Sequence, residues 1–185
     1  MSTNGRVIAL YYATRDGQAQ RIAEHICGRL AEHEPLAPPQ NLAVAQPMAE
    51  DLTAASLIVL VAAVRYGKHL PEAERFLAAY RSLASPPPLA LASVNLTARK
   101  PEKTTATGNA YLRKTIARHG LAPALAVAFA GRLDYQRYSW RDRQIIRFIM
   151  LLTGGPTDPH TRVEYTSWDA VDDFAARIDE LRRQN

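Results

Sequence analysis

The chain has 185 residues, 47% of them hydrophobic and 22% charged, which is the composition of one globular domain with a sizeable core. Its formal net charge of +5 favours an anionic partner such as a nucleic acid, a lipid surface or an acidic small molecule. The single cysteine, Cys27, excludes an internal disulfide and a zinc site built from cysteines. No run of residues suits a signal peptide or approaches the roughly 20 apolar residues that cross a bilayer. We therefore expect a cytoplasmic protein, attached at most to a membrane surface.

Strands and helices are predicted to alternate from the start of the chain. The apolar run at 7–12 predicts a buried strand, and the apolar spacing from Ala19 to Leu30 predicts an amphipathic helix with Cys27 on its inner side. A weak pattern at 42–45 predicts a short second strand, and the run at 57–63 predicts a third. The next helix begins at Pro71, a residue favoured at the first helical position.

The alternation continues with a strand at 89–94, a helix at 109–119 and a strand at 125–130. Such a pattern is typical of a parallel sheet with helices on both faces, and right-handed crossovers make a five-stranded doubly wound sheet the simplest arrangement. In sheets of this kind the ligand binds beyond the carboxyl ends of the strands. The loops expected to meet there are 13–18, 63–70 and 95–103.

The first of these loops joins a strand to the start of a helix. Such a corner directs backbone N–H groups and the positive end of a helix dipole at one point, which suits a phosphate. The loop matches neither the Gly-x-Gly-x-x-Gly pattern nor the P-loop. The alternative is a solvated turn in which Thr14 caps the helix.

The other two loops carry residues that suit a flat, polar-edged ligand. Tyr66 can stack on an aromatic ring and Gly67 permits a close backbone approach, although a surface loop with Tyr66 folded over the core is an equal alternative. Asn95 can hydrogen-bond the edge of a heterocycle, or it can satisfy backbone groups in its own turn.

Arginines and aromatic residues interleave at 132–143, after the last strand of the predicted sheet. This stretch can bind nucleic acid by phosphate contact and stacking, clamp the carboxylates of an aromatic ligand, or form a solvated loop. Ser139 and Asp142 resemble a capping box at the start of a helix over about 140–153.

The helix at 140–153 has a basic side and a broad apolar side, which is typical of a helix lying on an anionic membrane. Packing on the sheet or on a second subunit is the alternative. A strand at 162–165 and a helix from Ser167 complete the chain.

The sequence shows no catalytic triad, no pair of carboxylates in an evident cleft position and no metal-ligand spacing among its five histidines. We therefore expect no metal and no catalytic side chain. A bound cofactor is expected to carry the chemistry.

Several segments match one known family in order along residues 7–175. They are Thr14–Gln18, Arg65–Gly67, Ser93–Lys103, Arg137-Tyr138, Asp142-Arg143 and Gly154-Gly155. Together they resemble the flavodoxin-like, quinone-dependent protoporphyrinogen IX dehydrogenases (oxidases) of bacterial haem biosynthesis, and the motif at 93–103 is long and specific. The resemblance implies a single flavodoxin-like domain over 1–185, with sheet order 2-1-3-4-5 and an insert at about 132–161.

The resemblance also implies a function and a set of site residues. FMN would accept hydride from protoporphyrinogen IX, giving protoporphyrin IX, and electrons would pass to menaquinone or ubiquinone. The implied phosphate loop comprises Thr14, Arg15, Asp16, Gly17, Gln18 and Ala19. The loops implied to flank the isoalloxazine contribute Ala63, Val64, Arg65, Tyr66, Gly67, Ser93, Val94, Asn95, Leu96, Thr97 and Arg99. The substrate candidates are Arg132, Tyr135, Arg137, Tyr138 and Arg141, with the three arginines as partners for the propionates.

Several hydroxyl groups that this family often places around its cofactor are missing. Ala13 and Ala19 stand where Ser and Thr are common, and Val61 and Ala63 stand where Gly and Ser are common. Because a hydrogen bond to a charged group contributes roughly 1.5–3 kcal/mol, FMN binding is expected to be weakened unless other donors compensate. Those expected to compensate are Arg15, Gln18 and the backbone.

The implied partners are the porphyrinogen, the quinone and a membrane surface reached through helix 140–153, with no nucleic acid and a possible homo-oligomer. The implied location is peripheral, on the cytoplasmic face of the inner membrane. The rival functions are a flavodoxin-type electron carrier, an NAD(P)H:quinone reductase, a nucleic-acid-binding module and a family member that has lost its flavin. Electron carriers of this type are usually acidic, so the net charge of +5 counts against the first rival.

Overall fold

A computed structural model describes residues 7–184, apart from the side chains of Arg137 and Thr153. Its strands are β1 (Ile8–Ala13), β2 (Gln40–Asn41), β3 (Leu57–Arg65), β4 (Lys68–His69), β5 (Leu89–Val94), β6 (Leu125–Phe129), β7 (Arg132–Asp134) and β8 (Arg162–Glu164). Its α-helices are α1 (Gln18–Ala31), α2 (Ala49–Ala54), α3 (Pro71–Arg81), α4 (Ala110–His119), α5 (Trp140–Thr153) and α6 (Trp168–Gln184).

The main sheet is parallel, with the strand order β2-β1-β3-β5-β6. Counted without the short β4, this is the predicted order 2-1-3-4-5, so the doubly wound flavodoxin-like sheet is confirmed. The chain reverses its direction of winding between β1 and β3, whose register pairs Ile8 with Leu57. The carboxyl ends of β1, β3 and β5 therefore meet at the edge of the sheet where this fold binds ligands.

The sheet is buried on both faces, which explains why its strands appear in the sequence as continuous apolar runs. The strand β3 has buried residues at every position from Leu57 to Ala62. One face packs against α1 and α6, and the other packs against α2, α3 and α4. On the second face, the rings of Tyr11 and Phe76 lie 4.9 Å apart between centroids. Cys27 is buried in the first core, as predicted.

The second strand differs from its prediction. It covers Gln40–Asn41, and residues 42–45 form a turn instead. The Asn41 side chain accepts a hydrogen bond from the Ala43 N–H, and the Asn41 carbonyl accepts from Val44 and Ala45. These local bonds close a turn directly after the strand and leave Val44 exposed. The two short elements α2 and β4 were not predicted, because each has too few residues to show a period.

The insert forms a small unit with its own core. The strands β7 and β8 pair antiparallel at its two ends, and α5 lies between them in the chain. The buried residues of this unit are Leu133, Tyr135, Tyr138 and Met150. Ser139 accepts a hydrogen bond from the Asp142 N–H at 3.2 Å, which confirms the predicted helix start.

The helix α5 is loosely held. Among its described side chains, Met150 alone is buried. Gly155 allows the Met150 side chain to pack closely, because a Cβ at this glycine would lie 2.3 Å from Met150 Cε. The helix α5 is therefore held through Met150, the partly buried Ile146 and a few polar contacts rather than through a broad buried face.

Candidate functional site

A cleft opens beyond the carboxyl ends of β1, β3 and β5, with α5 along one side. It holds about 890 Å³ of empty space, its open mouth included. Many of the residues predicted for the site line it, namely Thr14, Asp16, Gln18, Ala19, Ala63, Val64, Arg65, Tyr66, Gly67, Val94, Asn95, Leu96, Thr97, Arg132 and Tyr138. The three loops and part of the insert therefore converge on one cavity.

The predicted phosphate corner is built by Thr14, Gly17 and the start of α1. Gly17 adopts a left-handed conformation with φ of +83° and precedes the helix without a side-chain cap. The first turn of α1 contains no acidic residue. Thr14 Oγ1 accepts a hydrogen bond from the Gly17 N–H at 3.0 Å, so its hydroxyl hydrogen can still be donated. This arrangement presents backbone N–H groups and a helix dipole to an anion.

The two side chains expected to replace the missing hydroxyls are engaged elsewhere. Arg15 pairs with both carboxylate oxygens of Glu72, and it does not line the cleft. The side chain of Gln18 donates to Thr166 at 2.9 Å and to Glu164 at 3.2 Å. The hydrogen bond from Arg15 lowers the pKa of the buried Glu72 carboxyl, so that this carboxylate stays ionised. Backbone donors and Thr14 therefore remain as the main donors at this corner.

A tight hairpin between β3 and β4 carries Tyr66 and Gly67 to the mouth of the cleft. Both residues have positive φ, +51° and +77°, as a two-residue hairpin turn of this hand requires. A tyrosine in this region is strained, at a cost of order 1–3 kcal/mol. The side chain of Tyr66 is 62% exposed and lines the cleft instead of folding over the core. The hairpin thus holds an aromatic ring where a flat ligand can stack on it.

Arg65 joins three segments at the rim of the cleft. It pairs with Asp16 of the phosphate loop at 2.8 Å and with Asp142 of α5 at 2.5 Å. Its guanidinium also lies 5.7 Å from the ring centroid of Tyr66 and 5.6 Å from that of Tyr138. The hydroxyl of Tyr66 hydrogen-bonds Asp142 as well. One arginine therefore ties the hairpin to both the phosphate loop and the insert.

Beneath the cleft, a buried hydrogen-bond network centres on His69. Its Nδ1 lies 2.8 Å from Thr115 Oγ1, and its Nε2 lies 2.9 Å from Ser93 Oγ. The amide of Asn95 donates to Ser93 Oγ at 3.0 Å. Burial lowers the pKa of His69 to about 4, so the imidazole is neutral at physiological pH. Ser93 is fully buried in this network and does not line the cleft.

The same network fixes the third loop. Asn95 accepts hydrogen bonds from Thr97 Oγ1 at 2.6 Å and from Asn109 Nδ2 at 3.1 Å. Asn109 in turn caps α4 by accepting from the N–H groups of Tyr111 and Leu112. The Asn95 side chain therefore bonds other side chains rather than the backbone of its own turn, and Asn95 also lines the cleft. Arg99 lies outside the lining and donates to the Leu96 carbonyl at 3.0 Å.

The substrate candidates of the insert are divided by the structure. Arg132 lines the cleft and pairs with Asp134 at 2.9 Å, and the nearly buried Tyr138 lines it too. Tyr135 lies inside the core of the insert, where its hydroxyl donates to the Pro156 carbonyl at 2.8 Å. Arg141 is exposed and does not line the cleft. The side chain of Arg137 lies outside the described residues.

The structure adds lining residues that the sequence interpretation missed. They are Tyr111, Gly131, Ile145, Ile146 and Ile149. A signal for Tyr111 was available, because a helix that follows a parallel strand begins at the carboxyl edge of the sheet. The sequence shows that α5 has a broad apolar side, but it does not show which of these apolar residues face the cleft.

Comparisons with known proteins agree with this geometry. A model of the flavodoxin domain family matches residues 9–160. The protoporphyrinogen IX dehydrogenase (quinone) of Escherichia coli (strain K12) is 36% identical over 173 residues, covering 93% of this chain and 94% of that protein. The protein of the same name from Leishmania major is 36% identical over 176 residues, covering 95% of this chain and 76% of that protein. The chain belongs to the flavodoxin-like protoporphyrinogen IX dehydrogenase family.

Family membership confirms the resemblance carried by the sequence motifs. Among solved structures, a flavodoxin of Streptococcus pneumoniae TIGR4 superposes with a TM-score of 0.54 at 9% identity, covering 95% of this chain and 99% of that one. This second similarity concerns the fold alone.

The neutral state of His69 predicts a pH dependence of stability. The folded-state pKa of about 4 lies below the ordinary histidine pKa of 6.5, so between these pH values the unfolded chain binds a proton that the folded chain does not. The free energy of unfolding should therefore fall as the pH is lowered from about 6.5 to 4, by up to ~1.4 kcal/mol per pH unit from this group. Urea denaturation at several pH values measures the slope.

The variant His69→Gln should show a shallower slope over that range. His160→Gln is the matched control, because His160 is exposed and should leave the slope unchanged. An unaltered slope in His69→Gln would show that His69 keeps an ordinary pKa in the folded protein.

Proposed function

We propose that the protein is an FMN-dependent protoporphyrinogen IX dehydrogenase that passes electrons to a membrane quinone. The observation that carries this proposal is the 36% identity with the similarly named Escherichia coli protein over nearly the whole of both chains. The cleft supports it, because its polar and apolar parts suit a nucleotide cofactor and a large macrocyclic substrate respectively.

The polar part of the cleft fits FMN. The uncapped start of α1, Gly17 and the Thr14 hydroxyl suit a phosphate group. The rings of Tyr66 and Tyr111 stand on the same cleft and suit a flat heterocycle. FMN supplies two-electron redox chemistry when bound, and the chain supplies position and electrostatics.

The apolar part of the cleft fits a porphyrinogen. Ile145, Ile146 and Ile149 of α5 form an apolar wall, and Arg65 and Arg132 place two guanidinium groups on the same lining. A porphyrinogen combines a mostly apolar macrocycle with two carboxylates, so this mixture of surfaces matches both of its parts.

The visible spectrum and anaerobic turnover test the proposal. The purified protein should be yellow with a flavin band, and it should oxidise protoporphyrinogen IX under anaerobic conditions when menaquinone or ubiquinone is added. Omission of the quinone is the control and should stop turnover.

Other outcomes would identify a rival function. A yellow protein that oxidises NADPH with quinone but leaves the porphyrinogen unchanged would be a reductase. A flavoprotein without either activity would be an electron carrier. A colourless protein whose nucleic-acid affinity falls steeply with salt would be a nucleic-acid-binding module.

The phosphate corner lacks a hydroxyl group that a substitution at Ala19 can supply. Ala19 is buried at the second position of α1 and lines the cleft. A serine there would supply one of the missing hydroxyls, so Ala19→Ser should lower the Kd for FMN by about tenfold. Flavin fluorescence quenching on binding measures this Kd.

The matched control is Ala31→Ser, at the exposed far end of the same helix, which should leave the Kd unchanged. A Kd for Ala19→Ser equal to that of the parent protein would place the phosphate away from this turn of α1.

The outer side of α5 supports attachment to a membrane surface. Trp140, Phe148, Leu151 and Leu152 are between 60% and 72% exposed on this helix. Within residues 7–184 no helix is long and apolar enough to span a bilayer. The helix α5 therefore carries apolar residues on its cleft side and on its outer side, and it can lie between a bilayer and the cofactor cleft.

Replacement of these four outer residues by serine should reduce binding to vesicles that contain anionic lipid by about tenfold or more, because each buried large apolar side chain contributes about 1.5 kcal/mol or more. Co-sedimentation with the vesicles measures the bound fraction. The double variant Val44→Ser, Met48→Ser is the control, since both residues are exposed outside the insert. Equal binding by the two variants would refute the role of α5.

A further inference from the structure

We propose that Arg65 binds a carboxylate of the substrate, and that Asp142 of the insert occupies the same guanidinium until the substrate carboxylate replaces it. This inference rests on the proposed function. It gives Arg65 a role in recognising the substrate, whereas the family resemblance implied that Arg65 lies beside the isoalloxazine of the cofactor.

Arg65 is placed to bind a carboxylate in the cleft. Its side chain is 20% exposed and lies on the cleft lining between the rings of Tyr66 and Tyr138. A guanidinium flanked by aromatic rings and partly removed from water binds a carboxylate strongly and in a fixed orientation. The position also lies on the same cavity as the apolar wall of α5. A ligand that packs on that wall can therefore present a carboxylate to Arg65.

The two present partners of Arg65 differ in how they are held. Asp16 belongs to the short loop between β1 and α1, and this loop is fixed at both ends by the sheet and the helix. Asp142 belongs to the first turn of α5, a helix in which Met150 alone is buried among the described side chains. Two further hydrogen bonds of α5 lie within the insert, since Arg143 donates to the Tyr135 carbonyl and Arg147 to the Thr157 carbonyl. Asp142 can therefore leave Arg65 with a small shift of the insert.

The exchange preserves the charge balance of the cleft. A substrate carboxylate replaces the Asp142 carboxylate at the guanidinium, and Asp142 gains water at the start of an exposed helix. The partly shielded guanidinium therefore keeps two carboxylate partners throughout, since Asp16 stays paired with it during the exchange.

Arg132 differs from Arg65 in how firmly its carboxylate partner is held. Its partner Asp134 is buried in the insert and also accepts a hydrogen bond from Arg162 at 3.1 Å. A carboxylate that is buried and shared between two arginines is held in place. Arg65 is thus the cleft arginine whose partner can be exchanged.

The test compares two porphyrins that differ in the carboxylates. The FMN-saturated full chain is titrated with protoporphyrin IX and with its dimethyl ester in the same detergent, and the Soret band reports binding. The measured quantity is the ratio of the two affinities, acid over ester. Arg65→Gln should lower this ratio by about tenfold or more relative to the parent protein, because it removes the charged hydrogen bond to the carboxylate.

Asp142→Asn should act in the opposite direction. It removes the competing carboxylate and should raise the affinity for the free acid several-fold while leaving that for the ester unchanged. Tyr66→Phe removes the other contact of Asp142 but keeps the ring and the charges, so the ratio should stay close to that of the parent. Arg177→Gln, exposed on α6, is the matched control for loss of one positive charge.

Two results would overturn the inference. They are an acid-to-ester ratio in Arg65→Gln equal to that of the parent, and weaker binding of the free acid by Asp142→Asn. Both leave the proposed function standing if the protein still oxidises protoporphyrinogen IX. Failure of the parent protein to bind either porphyrin, together with no anaerobic oxidation, would instead overturn the proposed function and this inference with it.

Discussion

The geometry of the cleft depends on the ion pairs of Arg65. This residue ends β3, and its guanidinium contacts a carboxylate of the phosphate loop and a carboxylate of the insert. The flavodoxin-like sheet alone would leave these segments as separate loops at its edge. The pair with Asp142 is partly shielded from water, whereas Asp16 is exposed and its pair is an ordinary surface ion pair that contributes about 0–1 kcal/mol. The insert is thus joined to these loops by ion pairs in addition to the apolar contact of Leu96 with the core of the insert.

Polar side chains beneath the cleft perform a different task. The network of His69, Ser93, Asn95 and Asn109 is buried, and it joins the β3–β4 hairpin to the loop after β5 and to the start of α4. Fully satisfied buried networks rigidify the segments that they connect. The base of the cleft is therefore rigid, whereas the insert at its side is held by few buried groups. A cleft built in this way keeps its cofactor loops fixed while one wall adapts to a large substrate.

Much of this fold follows from local patterns in the sequence. The apolar run at 57–63 and the spacing from Ala19 to Leu30 predict β3 and α1 because burial imposes their periods. The partners of the site side chains do not follow in this way. Asp142 lies 77 residues from Arg65, and Thr166 lies 148 residues from Gln18. Such pairings are decided by the folded chain, so the bond from the Gln18 side chain to the segment before α6 could not be predicted from the sequence.

Because hydroxyl groups are missing at the phosphate corner and the insert is held by few buried groups, the two ends of the cleft contact a ligand in different ways. With Arg15 and Gln18 engaged by Glu72 and Thr166, the phosphate corner relies on Thr14, the backbone of Gly17 and the first turn of α1. Backbone donors recognise an anion without regard to the side chains around it. Discrimination between ligands must then come from the other end of the cleft, where the aromatic rings, the isoleucines of α5 and Arg65 meet. On the proposed function we therefore expect substrate selection to be concentrated in the insert and its contact with β3, the part of the chain that the flavodoxin-like sheet does not itself require.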